Sequence, residues 1–290
     1  MERRKFLGMA GVAGAGLALT TNPLATLANN ITEVNGKIKK FGIQLYTLRD
    51  DMPKDPAGVL QQVAAAGYKQ VESFEAGGMG MFWNMGNTGF KKFIGDLGMT
   101  MPSVHCDIYT DFEKKVEQCA AIGVQYIIYA WEGPDKKLDD YKRFCDDFNK
   151  KGEFAKQHGM RFAFHNHDYS FKLMDGQYPQ DVLMMGTDPS LVYYEMDMYW
   201  VVTAGHSPIE WVKKYPGRFK LSHVKDRAKN TTENSDSCTL GTGSIDYAAI
   251  LGEAKKFGMD YFHVEQEKYE GTTPLQCIKD NAAYMKKLRF

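Results

Sequence analysis

QHGMRFAFHNH, residues 157–167, contains a unit that recurs along the chain: the end of an apolar-faced helix, a glycine, one large or apolar residue, then a short run toward polar side chains. The same order appears in AAAGYKQVESF (64–74), DLGMTMPSVH (96–105), AIGVQYIIYAW (121–131) and KFGMDYFHVEQE (256–267). Gly67, Gly98, Gly123, Gly159 and Gly258 stand where a helix must leave its right-handed path, a step that favours a residue without Cβ. Each therefore marks a junction from helix to strand. Helix starts agree, because Asp55-Pro56, Ser207-Pro208 and Thr273-Pro274 each pair a capping side chain with a proline suited to the first turn. Together with the apolar runs that lack the glycine, these junctions predict strands near 41–46, 69–74, 100–105, 124–130, 160–166, 191–197, 219–225 and 260–266.

Strands and helices alternating in this number predict an α/β fold, a single-domain (β/α)8 TIM barrel over 38–290, close to that fold's usual length of about 250 residues. An open doubly wound sheet is the competitor. No GxGxxG follows the first strand, however, and no linker halves the chain. The longest connection, 227–246, is rich in Asn, Ser, Thr and Gly and follows strand seven on the side where active-site loops lie, which makes it a candidate lid.

With 36 basic and 36 acidic residues the formal charge is zero, so nothing favours nucleic acid or an anionic membrane surface. A small, fairly neutral molecule is the expected partner, and a homo-oligomer is compatible with the composition. Residues 1–28 read as a twin-arginine-type export signal: Arg3-Arg4-Lys5-Phe6-Leu7, then an uncharged run from Gly8 to Thr20, with cleavage expected near Ala28. That run is shorter than the roughly 20 residues needed to span a bilayer. The expected location is the periplasm. Five cysteines, odd in number and without a CxxC pair, do not form a disulfide framework and read as buried small hydrophobes.

In a strand, residues two apart share a face, so His165 and His167 can reach one site while Asn166 points away. Spacing alone allows metal ligands, acid–base groups or structural histidines. The company they keep is more informative. In a barrel of this kind, catalytic groups come from the C-terminal ends of different strands. Those ends carry Glu72 and Glu75, His105 and Asp107, Trp131 and Glu132, His165 and His167, Glu195 and Asp197, His223 with Lys225 and Asp226, and His263, Glu265 and Glu267. A mixed imidazole and carboxylate set suits Mn2+, Zn2+, Co2+ or Mg2+ better than a thiolate-seeking ion.

The ordered motifs HNHDYSF (165–171), EMDMYWVVTAGHSP (195–208), GRFKLSHVKD (217–226), GTGSID (241–246) and YFHVEQE (261–267) resemble the sugar isomerase/epimerase group of xylose-isomerase-like TIM barrels. The resemblance implies one divalent metal ion, with Mn2+ or Zn2+ ahead of Co2+ or Mg2+, acting on a small carbohydrate. It assigns Asp197, His223 and Glu265 as ligands. The strand-five position, a glutamate in many epimerases of the superfamily, is here the HNH run, with His165 the first choice and His167 the second. Ser170 also departs from the HNHDYEF pattern of the nearest subgroup.

The implied chemistry is proton abstraction beside a polarised carbonyl to give an enediolate, with Glu265 and His167 as candidate bases and Lys225 assisting. Glu72, His105, Trp131, Trp200 and Asp226 are expected to line the substrate, and Trp83 is a further candidate for stacking on a sugar. Export, and a GTGS turn that makes a poor phosphate cradle, favour a non-phosphorylated sugar or keto-sugar. The same first step also serves elimination, so a metal-dependent lyase, dehydratase or hydrolase-like enzyme on 3-keto-glycosides is the alternative. A non-catalytic carbohydrate-binding barrel is the reading from another class.

Overall fold

The structure, a computed structural model, describes residues 38–290. The expected export signal lies outside the described residues. Eight parallel strands close into a barrel in sequence order: β1 (Gly42–Gln44), β2 (Gln70–Phe74), β3 (Thr100–His105), β4 (Tyr126–Tyr129), β5 (Arg161–His165), β6 (Val192–Asp197), β7 (Phe219–Val224) and β8 (Tyr261–Val264), with β8 pairing back to β1. The TIM barrel read from the sequence is the observed fold.

The five junction glycines all adopt positive φ, from +74° at Gly98 and Gly159 to +105° at Gly67. The expected caps are also present: Asp55, Ser207 and Thr273 accept hydrogen bonds from the backbone N–H groups of Gly58, Glu210 and Gln276. All strands but β3 are shorter than expected, with β1, β4 and β8 losing the most, three residues each. β1 stops at Gln44 because its side chain accepts from Tyr46 N at 3.1 Å and starts a 3-10 turn. β8 stops at Val264 because Gln266 N leaves the ladder for the Thr47 hydroxyl. Two helices, not one, follow β6: α6 (Met198–Thr203) and α7 (Pro208–Lys214).

Apolar side chains fill the layer between strands and helices. Trp83 belongs to that layer: it is 1% exposed and its indole N–H donates to Ser73 Oγ, so it does not face a sugar. Inside the barrel, Tyr126, Ile128, Ala163 and Leu221 form a separate apolar floor, flanked by Tyr193 and Tyr261. All five cysteines are free thiols. Among the described residues no helix is long and apolar enough to cross a membrane.

The 227–246 connection, the candidate lid, is tied to the barrel by several contacts. Asp226–Arg227 pairs with Ser237–Cys238 as a short antiparallel ribbon. Arg227 binds Thr203 Oγ1 and the Thr231 and Glu233 carbonyls, while Tyr199 Oη donates to the Asn234 carbonyl.

Candidate metal centre

Above the apolar floor the inward-facing positions become ionisable. His165 ends β5, Asp197 ends β6, His223 lies near the end of β7, and Glu265 follows β8. All four are buried. His165 Nε2 faces His223 Nδ1 at 3.1 Å, each lies 3.7 Å from Asp197 Oδ2, and His223 Nδ1 is 3.2 Å from Glu265 Oε2. Tetrahedral bonds of about 2.1 Å to nitrogen and oxygen imply ligand separations of roughly 3.4 Å, so His165, Asp197 and His223 fit one divalent ion, with Glu265 beside His223 at the edge of the group.

Asp197 has two distinct uses. It is the N-cap of α6, with Oδ1 accepting from Trp200 N at 3.3 Å, which leaves Oδ2 for the centre. Asn166 does point away from His165, and its destination is the backbone of Asp197: it accepts from Asp197 N and donates to Asp197 O, both at 3.2 Å. The middle residue of HNH thereby fixes the neighbouring strand end.

Lys225 Nζ lies 3.0 Å from Asp197 Oδ2, 2.9 Å from Glu265 Oε2 and 2.5 Å from Glu267 Oε1. Burial opposes charge on Lys225, Asp197 and Glu265, but the pairing prevails. Lys225 is held well above its ordinary value, whereas Asp197 and Glu265 are held well below theirs by Lys225 and the adjoining imidazoles. Both carboxylates are thus kept ionised. Burial lowers His165 and, more strongly, His167, where His165 and Lys225 add to the effect. The neutral imidazole that a ligand or a base requires is therefore favoured at both.

The strand-five pair divides. His165 joins the cluster, whereas His167 stands beside it against Trp131, Tyr169 and Trp200, with ring centroids 4.7, 5.5 and 5.4 Å away and Nδ1 without a hydrogen-bond partner. Trp131 is 57% exposed at the mouth, and Trp200 is buried with Lys225 Nζ 5.0 Å from its ring centroid. These two indoles and His167 form one aromatic flank.

The other expected substrate contacts are placed differently. Asp226 is only 1% exposed, and its carboxylate accepts from the N–H groups of Arg227, Gly241, Gly243 and Ile245 at 2.9–3.1 Å. It serves as an internal anchor for the GTGS turn, whose Gly241 and Gly243 N–H groups are occupied by this carboxylate while those of Thr242 and Ser244 donate to the Thr239 and Arg227 carbonyls. Glu72 is fully buried and takes bonds from Gln44 Nε2 and His223 Nε2, both at 2.8 Å, so it lies under the centre and does not form a pocket wall. His105 Nε2 reaches Glu195 Oε2 at 2.6 Å and Glu72 Oε1 at 3.1 Å. Burial lowers His105, but Glu72 and Glu195 together raise it to about 9.

Sequence reasoning underused three residues. Glu195 and His263 lie one step deeper on strands already known to carry Asp197 and Glu265, and alternation was the available signal. Gly42 on β1 makes room for His263, since a Cβ there would collide with the imidazole ring. Glu132, buried just past β4, is raised to about 7 by burial, with Lys136 and Tyr109 only partly offsetting it.

A closed parallel barrel with imidazoles and carboxylates converging at its C-terminal end defines a class of metal-capable enzyme barrels. Residues 60–288 match the family described as xylose isomerase-like TIM barrel, and the chain belongs to that family. It is 34% identical over 158 residues to inosose dehydratase of Clostridium perfringens, covering 50% of this chain and 49% of that protein. It is 35% identical over the same length, with the same coverage, to inosose dehydratase of Clostridium beijerinckii. The chain thus spans about half the length of the curated relatives it matches. Among solved structures, a sugar phosphate isomerase/epimerase from Parabacteroides distasonis superposes with a TM-score of 0.72 at 27% identity, covering 87% of this chain and 94% of that one.

Proposed function

We propose that this chain is a divalent-metal-dependent sugar isomerase or epimerase that acts on a non-phosphorylated sugar or keto-sugar after export to the periplasm. The observation that carries the proposal is the convergence of His165, Asp197 and His223 around one point, with Glu265 beside His223 and Lys225 paired to both carboxylates. When bound, a divalent cation supplies electrophilic polarisation of the substrate carbonyl.

The chain's own groups do the rest. His167, neutral and with Nδ1 unpartnered, takes the proton from the carbon next to the carbonyl and returns it to the neighbouring carbon in isomerisation, whereas inversion at the same carbon needs a second acid on the opposite face, for which Glu265 is the candidate. Glu265 stays ionised beside Lys225, so it serves as a ligand first and as a base only if Lys225 moves away. The Lys225 ammonium donates to the oxygen that gains charge as the enediolate forms. Trp131 and Trp200 offer ring faces to the apolar side of a sugar and keep bulk water from the proton path. The occupied GTGS turn supports an unphosphorylated substrate.

A second reading, elimination of a β-oxygen after the same proton abstraction, is favoured by the likeness to inosose dehydratases. Turnover in D2O, followed by NMR with unphosphorylated and 3-keto sugars and added Mn2+ or Zn2+, separates the two. Isomerisation keeps every heavy atom of the substrate in one product and leaves deuterium on its carbon as far as the His167 proton exchanges with solvent. Release of water or an aglycone would overturn the isomerase reading in favour of elimination, and binding without turnover of any of these sugars would leave a carbohydrate-binding barrel. Replacing Arg3 and Arg4 by Lys and fractionating cells tests export: a product already periplasmic only with the arginines supports it.

A further inference from the structure

Directly beneath the proposed centre is a second convergence of ligand atoms that the proposed activity does not use. Glu72 Oε1, His105 Nε2, Glu195 Oε2 and His223 Nε2 all lie within 4.8 Å of one another. Around this ring the spacings are 3.1 Å from Glu72 to His105, 2.6 Å from His105 to Glu195, 3.4 Å from Glu195 to His223 and 2.8 Å from His223 to Glu72. Adjacent ligands of an octahedral ion bonded at about 2.1 Å stand about 3.0 Å apart, and the Glu72–His105 and His105–Glu195 spacings lie on either side of that value. The geometry points to a second divalent-cation site, formed by Glu72, His105 and Glu195, with the His223 N–H bonded to Glu72 at its edge.

Three independent observations support this site. The strand register shifts immediately before each carboxylate, between Gln70 and Glu72 on β2 and between Tyr194 and Glu195 on β6. Such irregularities re-aim side chains and recur beside functional sites. Next, Glu72 and Glu195 are 0% exposed, yet Glu72 Oε2 and Glu195 Oε1 have no hydrogen-bond partner. His263 Nδ1, also without one, faces them at 3.4 and 3.6 Å. A buried carboxylate pair left this incomplete is costly unless a cation shares it.

Charge provides the third observation. Glu72, Glu195, Asp197, Glu265 and Glu267 are the carboxylates in contact with this histidine and lysine network, and Lys225 is its one ammonium. The network thus holds four carboxylate charges beyond its ammonium, a surplus that bound divalent cations would offset. His105, with its side chain 12% exposed, gives the lower site its contact with solvent.

This site does not depend on the proposed reaction, and metal stoichiometry tests it without an assay of activity. Chelator-stripped full-length protein would be reloaded with Mn2+, desalted, and measured by elemental analysis and low-temperature EPR. Two Mn2+ per chain with dipolar broadening are expected for the wild type, and one without broadening for Glu195→Gln. His105→Ala, at the exposed edge, should also bind one ion and covers the case in which Glu195→Gln fails to fold. One ion in the wild type, kept in Glu195→Gln and His105→Ala but lost in Asp197→Ala, would overturn the second site and leave the proposed function standing. One ion lost in Glu195→Gln but kept in Asp197→Ala would sustain this site and overturn the upper one.

Discussion

The two ends of the barrel interior are built on the same strands, only two residues apart, and have opposite chemistry. β5 passes from Ala163 to His165, β7 from Leu221 to His223, and β8 from Tyr261 through His263 to Glu265. Burial hardly changes along these steps: Ala163 and Leu221 are 0% exposed, and His165 and His223 are 3% and 1%. The floor is self-sufficient, because apolar contacts fill it and the Tyr126 and Tyr261 hydroxyls pair with Arg161 and Gln125. The upper end holds unpaired nitrogens and oxygens and depends on charges meeting across strands. Stability and chemistry therefore occupy adjacent layers of one core, which lets each be disturbed separately.

The largest expected effect comes from the upper layer. Asp197→Ala should lower kcat/KM on the order of 10³-fold, about 4 kcal/mol at the transition state, together with the metal content of the upper centre. Unchanged metal and turnover would remove Asp197 from the centre. Leu221→Ala should do the reverse, costing about 3 kcal/mol in denaturant unfolding while metal stoichiometry holds. Should that variant shed its ion, floor and centre would be one cooperative unit, and the contrast drawn above would fail.

Asp226→Asn tests the boundary between structural and functional polar groups. Replacing a carboxylate that gathers four backbone N–H groups should cost about 2 kcal/mol and speed amide exchange at Gly241, Gly243 and Ile245. A drop in substrate affinity at unchanged stability would return Asp226 to the substrate contacts.

The smallest effect concerns pH. Glu132 has a folded pKa near 7, above an unfolded value near 4.3. Its proton is therefore bound more tightly in the native state, and the associated stability is fully present below about pH 4.3 and lost as pH rises through 7. Glu132→Gln should flatten this slope and raise Tm by a few degrees at pH 8 but not at pH 5, read by calorimetry. Parallel pH profiles for the two proteins would show that Glu132 is solvated like an ordinary carboxylate.

Much of the fold was legible because its signal is local. A glycine at a helix end reports a backbone requirement that no neighbour can mask, and Gly67, Gly98, Gly123, Gly159 and Gly258 all adopt the expected conformation. The gathering of ionisable residues at strand ends was legible for a similar reason, since a period of two tells which residues share a face. Depth along the barrel axis was not legible. Glu72 and His105 look like rim residues in sequence, yet register shifts and pairing with Glu195 place them beneath the upper centre. Asp226 and Trp83 were misplaced because their partners, the 241–245 backbone and Ser73, are set by tertiary packing.

The Asn166 bridge has a kinetic consequence. Its carboxamide is chemically a peptide group, and by exchanging both hydrogen bonds with Asp197 it adds a rung to the β5–β6 ladder beyond the last paired residue. His165 and Asp197 are thus clamped across neighbouring strands before any ion arrives. Ion uptake should then be paced by loss of water from the ion, with little waiting for the chain to order. In stopped flow, Asn166→Asp, which keeps an acceptor but loses the donor, should slow uptake and make it sensitive to viscosity.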